Sequence, residues 1–256
     1  MKNRVKGSWV LITGATAGIG RATAWQFAEL ECNLAVTGRR KQRLDTLSRE
    51  LQETYPIQVV TGGFDIRDRS ACRAFVDSLN HPVDILVNNA GLALGKDAVY
   101  EADFEDWDAM IDTNVKGLLS MTRFVAEKMK ERNQGHIINL GSIAGYQAYP
   151  GGSVYCATKH AVKAITESTK MDLLGSAVRV SSVSPGLVET EFSVVRFKGD
   201  EERADDTYEG LNPLTADDIA EIIVFTANRP AHVNIMDTVV FPVNQSSATM
   251  VSRDEE

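Results

Sequence analysis

A regular alternation between short apolar runs and longer amphipathic segments constrains the fold of this chain more than any other feature. The apolar runs span residues 9–12, 34–37, 58–61, 85–87, 136–140, 178–183 and 238–241. Continuous apolar runs of this length are typical of strands buried on both faces of a parallel sheet. The intervening segments carry apolar side chains at helical spacing. The alternation therefore predicts βαβ units in an α/β fold with right-handed crossovers.

Residues 190–212 break this alternation. The segment is polar and charged, with aromatic side chains scattered through it, and it follows the sixth apolar run. Long irregular segments are often lids or binding loops, and ligands of open α/β sheets bind at the carboxyl edge of the strands. We therefore predict that residues 190–212 form a substrate lid. Because no linker or internal repeat occurs elsewhere, residues 1–256 are predicted to form a single domain.

The charge and cysteine content exclude several classes of function. The chain has 27 Lys and Arg against 35 Asp and Glu, a net charge of −8, which gives no global attraction to nucleic acid or to an anionic membrane. No apolar stretch reaches the length of a membrane helix. The three cysteines are far apart and the histidines lack ligand spacing, so neither a disulfide framework nor a metal site is predicted. A reducing, cytoplasmic setting is the expectation.

A glycine-rich turn follows the first apolar run. Residues 13–20 read T-G-A-T-A-G-I-G and lead into a helical pattern. Glycines let the backbone approach a diphosphate closely, and the N-terminus of a helix offers free N–H groups and partial positive charge. A glycine-rich turn without a ligand is the alternative, but the position between strand and helix favours a nucleotide site.

A cluster of cations follows the second apolar run. Arg39, Arg40, Lys41 and Arg43 lie there, where an acidic residue would accept a hydrogen bond from the 2′-hydroxyl of NAD. Arginine can instead hold a 2′-phosphate through paired hydrogen bonds. The cluster therefore predicts NADP as the cofactor. A solvated basic start to a helix is the alternative.

Tyr155 and Lys159 are four residues apart in a helical segment and so share one face. A phenol with an ordinary pKa of about 10 is a poor acid–base catalyst at neutral pH. A neighbouring ammonium favours the phenolate and lowers that pKa. The pair is therefore a candidate acid–base unit, although the spacing is common by chance.

These motifs occur in the order and at the spacing of one family. The matching elements are residues 13–20, Asn88-Asn89-Ala90-Gly91, Asn114, Ser142, Tyr155 with Lys159, and Pro185-Gly186. Across essentially its whole length the chain resembles the classical short-chain dehydrogenases/reductases. The resemblance implies a Rossmann-like, doubly wound parallel sheet of seven strands with helices on both faces. It also implies hydride transfer between NAD(P) and a carbonyl or alcohol.

The resemblance assigns four catalytic positions. Tyr155 would be the general acid in carbonyl reduction and the base in alcohol oxidation, and Lys159 would lower its pKa and hold the nicotinamide ribose. Ser142 would bond the substrate oxygen and stabilise the charge that develops there. Asn114 would anchor a water that links Lys159 to solvent. A polar helix residue facing water is the alternative interpretation of Asn114.

The resemblance also assigns cofactor contacts. The diphosphate turn would use Gly14, Thr16, Gly18, Ile19 and Gly20, with further contacts from Asp65, Ile66, Asn88, Ala90 and Gly91. Pro185, Gly186, Val188 and Thr190 would lie at the nicotinamide end. Asn88 would steady both the sheet and the adenosine ribose, and Asp65 would accept from the adenine amino group. Asp65 has a second interpretation as the N-cap of a helix.

Four later segments narrow the resemblance. Residues 186–192, 195–200, 232–235 and 242–245 are similar to those of the NADP-dependent 3-hydroxy acid dehydrogenases. That subfamily implies a small substrate, either a hydroxy acid of the serine, allo-threonine or 3-hydroxypropionate type or the matching 3-oxo acid. It also implies a homotetramer, packed through the helical segments around 103–132 and 155–174.

Recognition of such a substrate needs a cation or good hydrogen-bond donors for the acid group. Arg196 in the lid is the candidate, with Gln147 and Tyr149 beside it and with Ser142 and Tyr155 at the reacting oxygen. A solvent-exposed or interface arginine is the alternative for Arg196. Reduction of another carbonyl, such as sulfoacetaldehyde, a diketone or a 3-oxoacyl thioester, stays open. A non-catalytic NADP-binding sensor would not need the intact acid–base set.

Overall fold

Seven parallel strands form one sheet within residues 2–253, which the computed structural model describes. The strands, in chain order, are β1 (Trp9–Thr13), β2 (Asn33–Gly38), β3 (Val59–Gly63), β4 (Ile85–Asn88), β5 (Gly135–Leu140), β6 (Val178–Pro185) and β7 (Asp237–Val240). Their order in the sheet is β3-β2-β1-β4-β5-β6-β7. Because β2 and β4 flank β1, the winding reverses there, and ligands of such sheets bind at that point. The order confirms the predicted doubly wound α/β fold.

Helices cover both faces of the sheet. They are α1 (Gly18–Glu29), α2 (Lys41–Thr54), α3 (Arg69–Ser78), α4 (Phe104–Ile111), α5 (Leu118–Glu131), α6 (Ser153–Asp172), α7 (Glu191–Arg196), α8 (Glu201–Asp205) and α9 (Ala216–Ala227). Successive side chains of a strand point to opposite faces. In β1, Val10 belongs to one buried cluster with Phe27 of α1, whereas Leu11 belongs to the other with Met121 of α5. Across the described residues, no helix is both long and apolar enough to span a membrane.

The longest predicted helix is interrupted. The segment 103–132 contains α4, then a π-helical turn over Asp112–Gly117, and then α5. A π-helical turn is rare and is often found at functional sites. Asn114 lies in this turn, and its side chain is buried rather than facing water. A helical apolar pattern does not reveal such a turn, because the buried face on either side of it keeps its spacing.

The predicted lid contains regular structure. Residues 190–212 hold the short helices α7 and α8 instead of an irregular loop. Thr190 caps α7 by accepting a hydrogen bond from a backbone N–H of that helix, and Asp200 caps α8 in the same way. Short capped helices are rich in polar residues at their ends, which explains why the composition suggested a loop.

Candidate active site

A cavity of about 920 Å³ opens at the carboxyl edge of the sheet. Its wall runs from the glycine-rich turn after β1, past Arg39 and Arg40, to Tyr155 and Lys159 on α6. Residues of the predicted lid line one side, and Ala248, Thr249 and Val251 of the C-terminal segment contribute to the wall. A single cavity therefore joins the predicted nucleotide turn to the predicted catalytic residues.

The glycine-rich turn presents backbone N–H groups to this cavity. Gly14 and Gly18 have φ angles of +70° and +51°, a region that glycine adopts readily. Ala17 precedes α1 and gives the helix no side-chain cap. The first N–H groups of α1 therefore remain available to an anion. Thr16 and Ile19 also line the cavity.

Gly20 supports the turn without lining the cavity. A methyl group at this position would lie 2.5 Å from the carbonyl oxygen of Gly14 and would collide with the Asn89 side chain. Asn89 donates from Nδ2 to the carbonyls of Thr13 (2.8 Å) and Gly14 (3.2 Å). The Thr13 hydroxyl accepts from the N–H groups of Asn89 and Ala90. Thr13 and Asn89 therefore fasten the turn to the end of β4, a role that no local sequence pattern indicated.

The arginines after β2 form a network with the lid. Arg40 donates to the Thr16 hydroxyl from Nε (3.1 Å) and Nη2 (2.7 Å), and to Glu191 from Nη1 (2.7 Å). Arg43 donates to the other carboxylate oxygen of Glu191 at 2.6 Å. Arg39 and Arg40 line the cavity. Several guanidinium groups and a hydroxyl at the end of β2 fit a nucleotide that carries a 2′-phosphate. No sequence pattern indicates the contact with Glu191.

Asp65 and Ile66 line the cavity just after β3. Asp65 pairs with Arg67 at 2.7 Å. The hydrogen bond from Arg67 lowers the pKa of Asp65 despite the opposing effect of burial, so an ionised carboxylate faces the cavity. The interpretation of Asp65 as a helix cap does not hold, because the residue that caps α3 is Asp68.

The structure does not bring Asn88 to the cavity. Its Nδ2 donates to the Thr122 hydroxyl and to the Asn139 side chain, both at 2.9 Å. Asn139 in turn donates to the Thr166 hydroxyl at 2.9 Å. All four residues are buried, and the chain of hydrogen bonds connects β4, β5, α5 and α6. The geometry supports the predicted bracing of the sheet by Asn88 but not a contact with the ribose.

The other predicted cofactor positions line the cavity together. They are Ala90, Gly91, Pro185, Gly186, Val188 and Thr190. At Gly186, a methyl group would collide with the Gln245 side chain, which accepts from the N–H of Leu187 at 2.8 Å. This close approach holds the chain after β6 against the C-terminal segment and shapes the floor of the cavity.

Ser142, Tyr155 and Lys159 meet inside the cavity. Ser142 follows β5, and its hydroxyl accepts from the N–H of Ala144 at 3.1 Å. The Lys159 ammonium lies 5.9 Å from the centre of the Tyr155 ring. All three side chains are buried, so a hydroxyl donor, a phenol and an amine converge at a point shielded from water.

Asn114 lies behind this group and does not line the cavity. Its Nδ2 donates to the Leu92 carbonyl (2.8 Å) and the Thr158 hydroxyl (3.1 Å), and its Oδ1 accepts from the Leu92 N–H (2.8 Å). These bonds connect the segment after β4 to α6, one residue before Lys159. Asn114 therefore holds the wall of the cavity in register with the catalytic helix.

Burial sets the ionisation of the catalytic pair. It raises the pKa of Tyr155, while a hydrogen bond with Ser142 and the charge of Arg196 oppose this rise. Burial also lowers the pKa of Lys159 from 10.5 to about 8. The sequence predicted that Lys159 lowers the pKa of Tyr155. In the structure the groups that act in this direction are Ser142 and Arg196.

Arg196, at the end of α7, points into the cavity from the lid. Its Nε donates to the Gly95 carbonyl at 3.1 Å, and its guanidinium lies 5.5 Å from the Tyr149 ring and 5.8 Å from the Tyr155 ring. One terminal nitrogen, Nη2, is buried without a hydrogen-bond partner. A buried guanidinium nitrogen without a partner is costly unless a ligand supplies an acceptor. The position therefore suits an anionic group bound beside Tyr155.

Gln147 is the predicted substrate residue that the structure places elsewhere. Its side chain is exposed and accepts from the N–H of Ala248 at 2.8 Å, so that it holds the C-terminal segment. Two residues that the sequence analysis missed line the cavity instead, Lys96 and Phe192. The Phe192 ring lies 5.8 Å from that of Tyr155. Lys96 comes from a segment without a recognisable motif, and Phe192 lies in the segment 186–192, where the resemblance assigned no role to it.

Comparison with known proteins places this site in a family. A family model described as short chain dehydrogenase matches residues 8–201. The chain belongs to the short-chain dehydrogenase family. The match covers the glycine-rich turn, the arginine cluster, the predicted catalytic residues and about half of the predicted lid of this short-chain dehydrogenase.

Individual relatives of this short-chain dehydrogenase are similar over nearly the whole chain. The NADP-dependent 3-hydroxy acid dehydrogenase YdfG of Salmonella typhi is 50% identical over 243 residues, which are 93% of this chain and 96% of that protein. Sulfoacetaldehyde reductase 2 of Chromohalobacter salexigens is 46% identical over 250 residues, 96% of this chain and 98% of that protein. A solved structure, the closed form of serine dehydrogenase complexed with NADP+, has a TM-score of 0.90 at 45% identity and covers 96% of this chain and 100% of its own.

Proposed function

We propose that this short-chain dehydrogenase uses NADP to interconvert the 3-hydroxyl and 3-oxo groups of small hydroxy acids of the serine, allo-threonine or 3-hydroxypropionate type. The observation that carries the choice of substrate is the buried, unpartnered Nη2 of Arg196 next to Tyr155. A carboxylate on the carbon skeleton of the substrate would satisfy this nitrogen while the 3-oxygen meets the catalytic hydroxyls. Relatives named as 3-hydroxy acid dehydrogenases support the same choice.

The cofactor end of the cavity has the groups that NADP needs. The turn at Gly14 and Gly18 and the start of α1 would hold the diphosphate, and Arg39 and Arg40 would hold the 2′-phosphate. Asp65 would accept from the adenine amino group. Residues of this cavity thus distinguish a phosphorylated ribose from a free one by charge. Bound NADP would supply or accept the hydride at its nicotinamide.

Tyr155 moves the proton in this proposal. In carbonyl reduction its phenol, which is protonated at neutral pH and whose pKa burial raises further, donates the proton to the substrate oxygen. In alcohol oxidation the same oxygen takes the proton from the 3-hydroxyl. Ser142 donates a hydrogen bond to the substrate oxygen and stabilises negative charge there. Lys159 holds a buried proton next to this group, and Asn114 fixes the position of its helix.

The substrate proposal is tested by removing the guanidinium of Arg196. Arg196→Met should raise the KM for 3-hydroxypropionate about 10- to 100-fold, the loss expected for a hydrogen bond to a charged group. The KM for 1,3-propanediol, which lacks the carboxylate, should stay unchanged. Arg73→Met is the matched control, because Arg73 pairs with Asp77 on the exposed face of α3 and does not line the cavity. Equal losses with both substrates would contradict the assignment, and turnover of isethionate alone would move the substrate class to sulfonates.

We also propose that this short-chain dehydrogenase is a homotetramer located in the cytoplasm. The chain acts as one domain with residues 190–212 as its lid, and four copies assemble through α4, α5 and α6. Exposed apolar side chains on and next to these helices support the assembly, among them Tyr100 (83% exposed), Phe104 (73%) and Met171 (73%). Light scattering after gel filtration tests the tetramer. The three free, buried cysteines suit a reducing cytoplasm, which cell fractionation tests.

A further inference from the structure

Glu191, the first residue of α7, pairs with two arginines at the start of α2, Arg40 and Arg43, and lines the cofactor end of the cavity together with Arg40. Its Oε2 lies 2.7 Å from Nη1 of Arg40, and its Oε1 lies 2.6 Å from Nη1 of Arg43. Each carboxylate oxygen therefore pairs with a different guanidinium. Two arginines would hold two oxygens of a phosphate monoester in the same way.

The carboxylate of Glu191 is ionised in this arrangement. Burial acts to raise its pKa, but hydrogen bonds from Arg40 and Arg43 outweigh this effect and lower it. Arg40 also donates hydrogen bonds from Nε and Nη2 to the Thr16 hydroxyl. Each of the three guanidinium nitrogens of Arg40 is therefore already engaged by a group of the protein itself.

The ion pairs are open to exchange. The side chains of Arg40, Arg43 and Glu191 are each close to half exposed, and ion pairs at such sites contribute little net free energy. A phosphate monoester carries nearly two negative charges at pH 7 and three acceptor oxygens. It is therefore the stronger partner for the same two guanidinium groups.

We propose that Glu191 is a cofactor-specificity residue, whose carboxylate occupies Arg40 and Arg43 in the cofactor-free enzyme and gives way to the 2′-phosphate of NADP. Glu191 thereby reduces the affinity gained from the phosphate and leaves the affinity for a free 2′-hydroxyl unchanged. The proposal rests on the NADP dependence proposed above and adds a residue from the lid to the phosphate site.

Isothermal titration with two nucleotides isolates the contribution of the phosphate. Adenosine 2′,5′-bisphosphate carries the 2′-phosphate, and 5′-AMP lacks it, so neither turnover nor substrate enters the measurement. Glu191→Gln should bind the bisphosphate about three- to tenfold more tightly than the wild type, the range expected for removing two exposed ion pairs. Its affinity for 5′-AMP should be unchanged. Glu189→Gln is the matched control, because Glu189 is an exposed carboxylate on the same segment and should leave both affinities as they are.

Three results would overturn the proposal for Glu191. One is weaker binding of both nucleotides to Glu191→Gln, which would show that Glu191 stabilises the bound nucleotide and does not compete with its phosphate. Another is unchanged affinity for the bisphosphate. The third is an equal gain in the affinity of Glu189→Gln for the bisphosphate, which would show that the effect comes from the loss of any nearby negative charge. A wild-type enzyme that binds both nucleotides equally would instead refute the proposed NADP dependence.

Discussion

The ammonium of Lys159 donates a hydrogen bond of 2.9 Å to the carbonyl oxygen of Leu140, the last residue of β5. This bond connects the catalytic helix to the end of a central strand. It also gives a buried amine its one partner among the hydrogen bonds of the described residues. Lys159 is therefore held in position before any ligand arrives, at the cost of burying a cation.

That cost predicts how stability depends on pH. The pKa of Lys159 is about 8 in the folded protein and 10.5 without burial, a difference equivalent to about 3 kcal/mol. Below pH 8 the amine is charged in both states, and its burial disfavours the folded one. Between pH 8 and 10.5 the folded state has lost the proton that the unfolded state keeps, so the free energy of unfolding contributed by this group rises.

Lys159→Met should therefore be inactive but more stable than the wild type at pH 7, by up to about 3 kcal/mol. The gain should shrink as the pH rises through 8 toward 10.5. Urea denaturation of both proteins at several pH values measures the difference between their free energies of unfolding. The contributions of the other titrating groups cancel in this difference. A difference that does not change with pH would show that burial of the charge is not the cause.

Removal of the Tyr155 hydroxyl should abolish proton transfer and leave the fold intact. Tyr155→Phe should lower kcat about 10²- to 10⁴-fold, the usual contribution of a positioned acid–base group, with little change in thermal stability. The absorbance of NADPH follows the rate. Tyr146→Phe is the control, since the Tyr146 hydroxyl is buried without a hydrogen-bond partner and lies outside the cavity. Turnover by Tyr155→Phe at the wild-type rate would refute the mechanism.

Lys198 connects the proposed lid to α4 through an ion pair. Its ammonium lies 2.8 Å from the Asp106 carboxylate, and the hydrogen bond raises the pKa of Lys198, so the pair is charged across the neutral range. Lys198→Met should open the lid more often and raise the substrate KM about two- to fivefold, the effect expected of an exposed ion pair, with kcat unchanged. Steady-state kinetics at low and high salt check this. High salt should raise the wild-type KM toward that of the variant. The KM of Lys198→Met should rise less, because the variant lacks the ion pair that salt screens.

Gly20→Ala should destabilise the enzyme, because the added methyl group would meet the backbone of Gly14 and the side chain of Asn89. Overpacking of this kind usually costs about 1–3 kcal/mol, which corresponds to a fall of several degrees in Tm for a chain of this size. Gly63→Ala is the control, since its methyl group would approach the stem of the Lys41 side chain no closer than 3.2 Å and would meet no backbone atom. Equal melting temperatures for the two variants would contradict the packing role of Gly20.

The central strands were predictable because burial on both faces leaves a direct trace in the sequence. The run predicted at 9–12 is the fully buried strand Trp9–Thr13, whereas the weakest run, 238–241, corresponds to the partly exposed edge strand Asp237–Val240. The glycine-rich turn was accessible from its place between a strand and a helix, and helix geometry placed Tyr155 and Lys159 on one face. Spacing along the chain therefore indicated the sheet edge and the nucleotide turn, whereas most other positions of the cavity wall came from the family resemblance.

Contacts between distant segments were not predictable in this way. Glu191 and Arg40 are 151 positions apart, and no pattern near either residue indicates the other. Gln147 binds the C-terminal segment, and Asn88 is part of a buried network, because packing decides which partner a polar side chain meets. Ionisation follows the same rule: burial of Tyr155 and Lys159 depends on the whole fold, whereas the sequence showed only their proximity.

Because its cysteines are buried, the labelling of their thiols can report local unfolding of this enzyme. Cys32 lies between α1 and β2, Cys72 in α3 and Cys156 in α6, and each is free and buried. Burial raises the pKa of Cys32 to about 12 and that of Cys72 to about 11, so neither is a reactive thiolate in the folded protein. A thiol reagent will modify them only when the surrounding segment opens. The rate of labelling at each cysteine therefore measures the local stability of three separate parts of the fold without any probe having to be introduced.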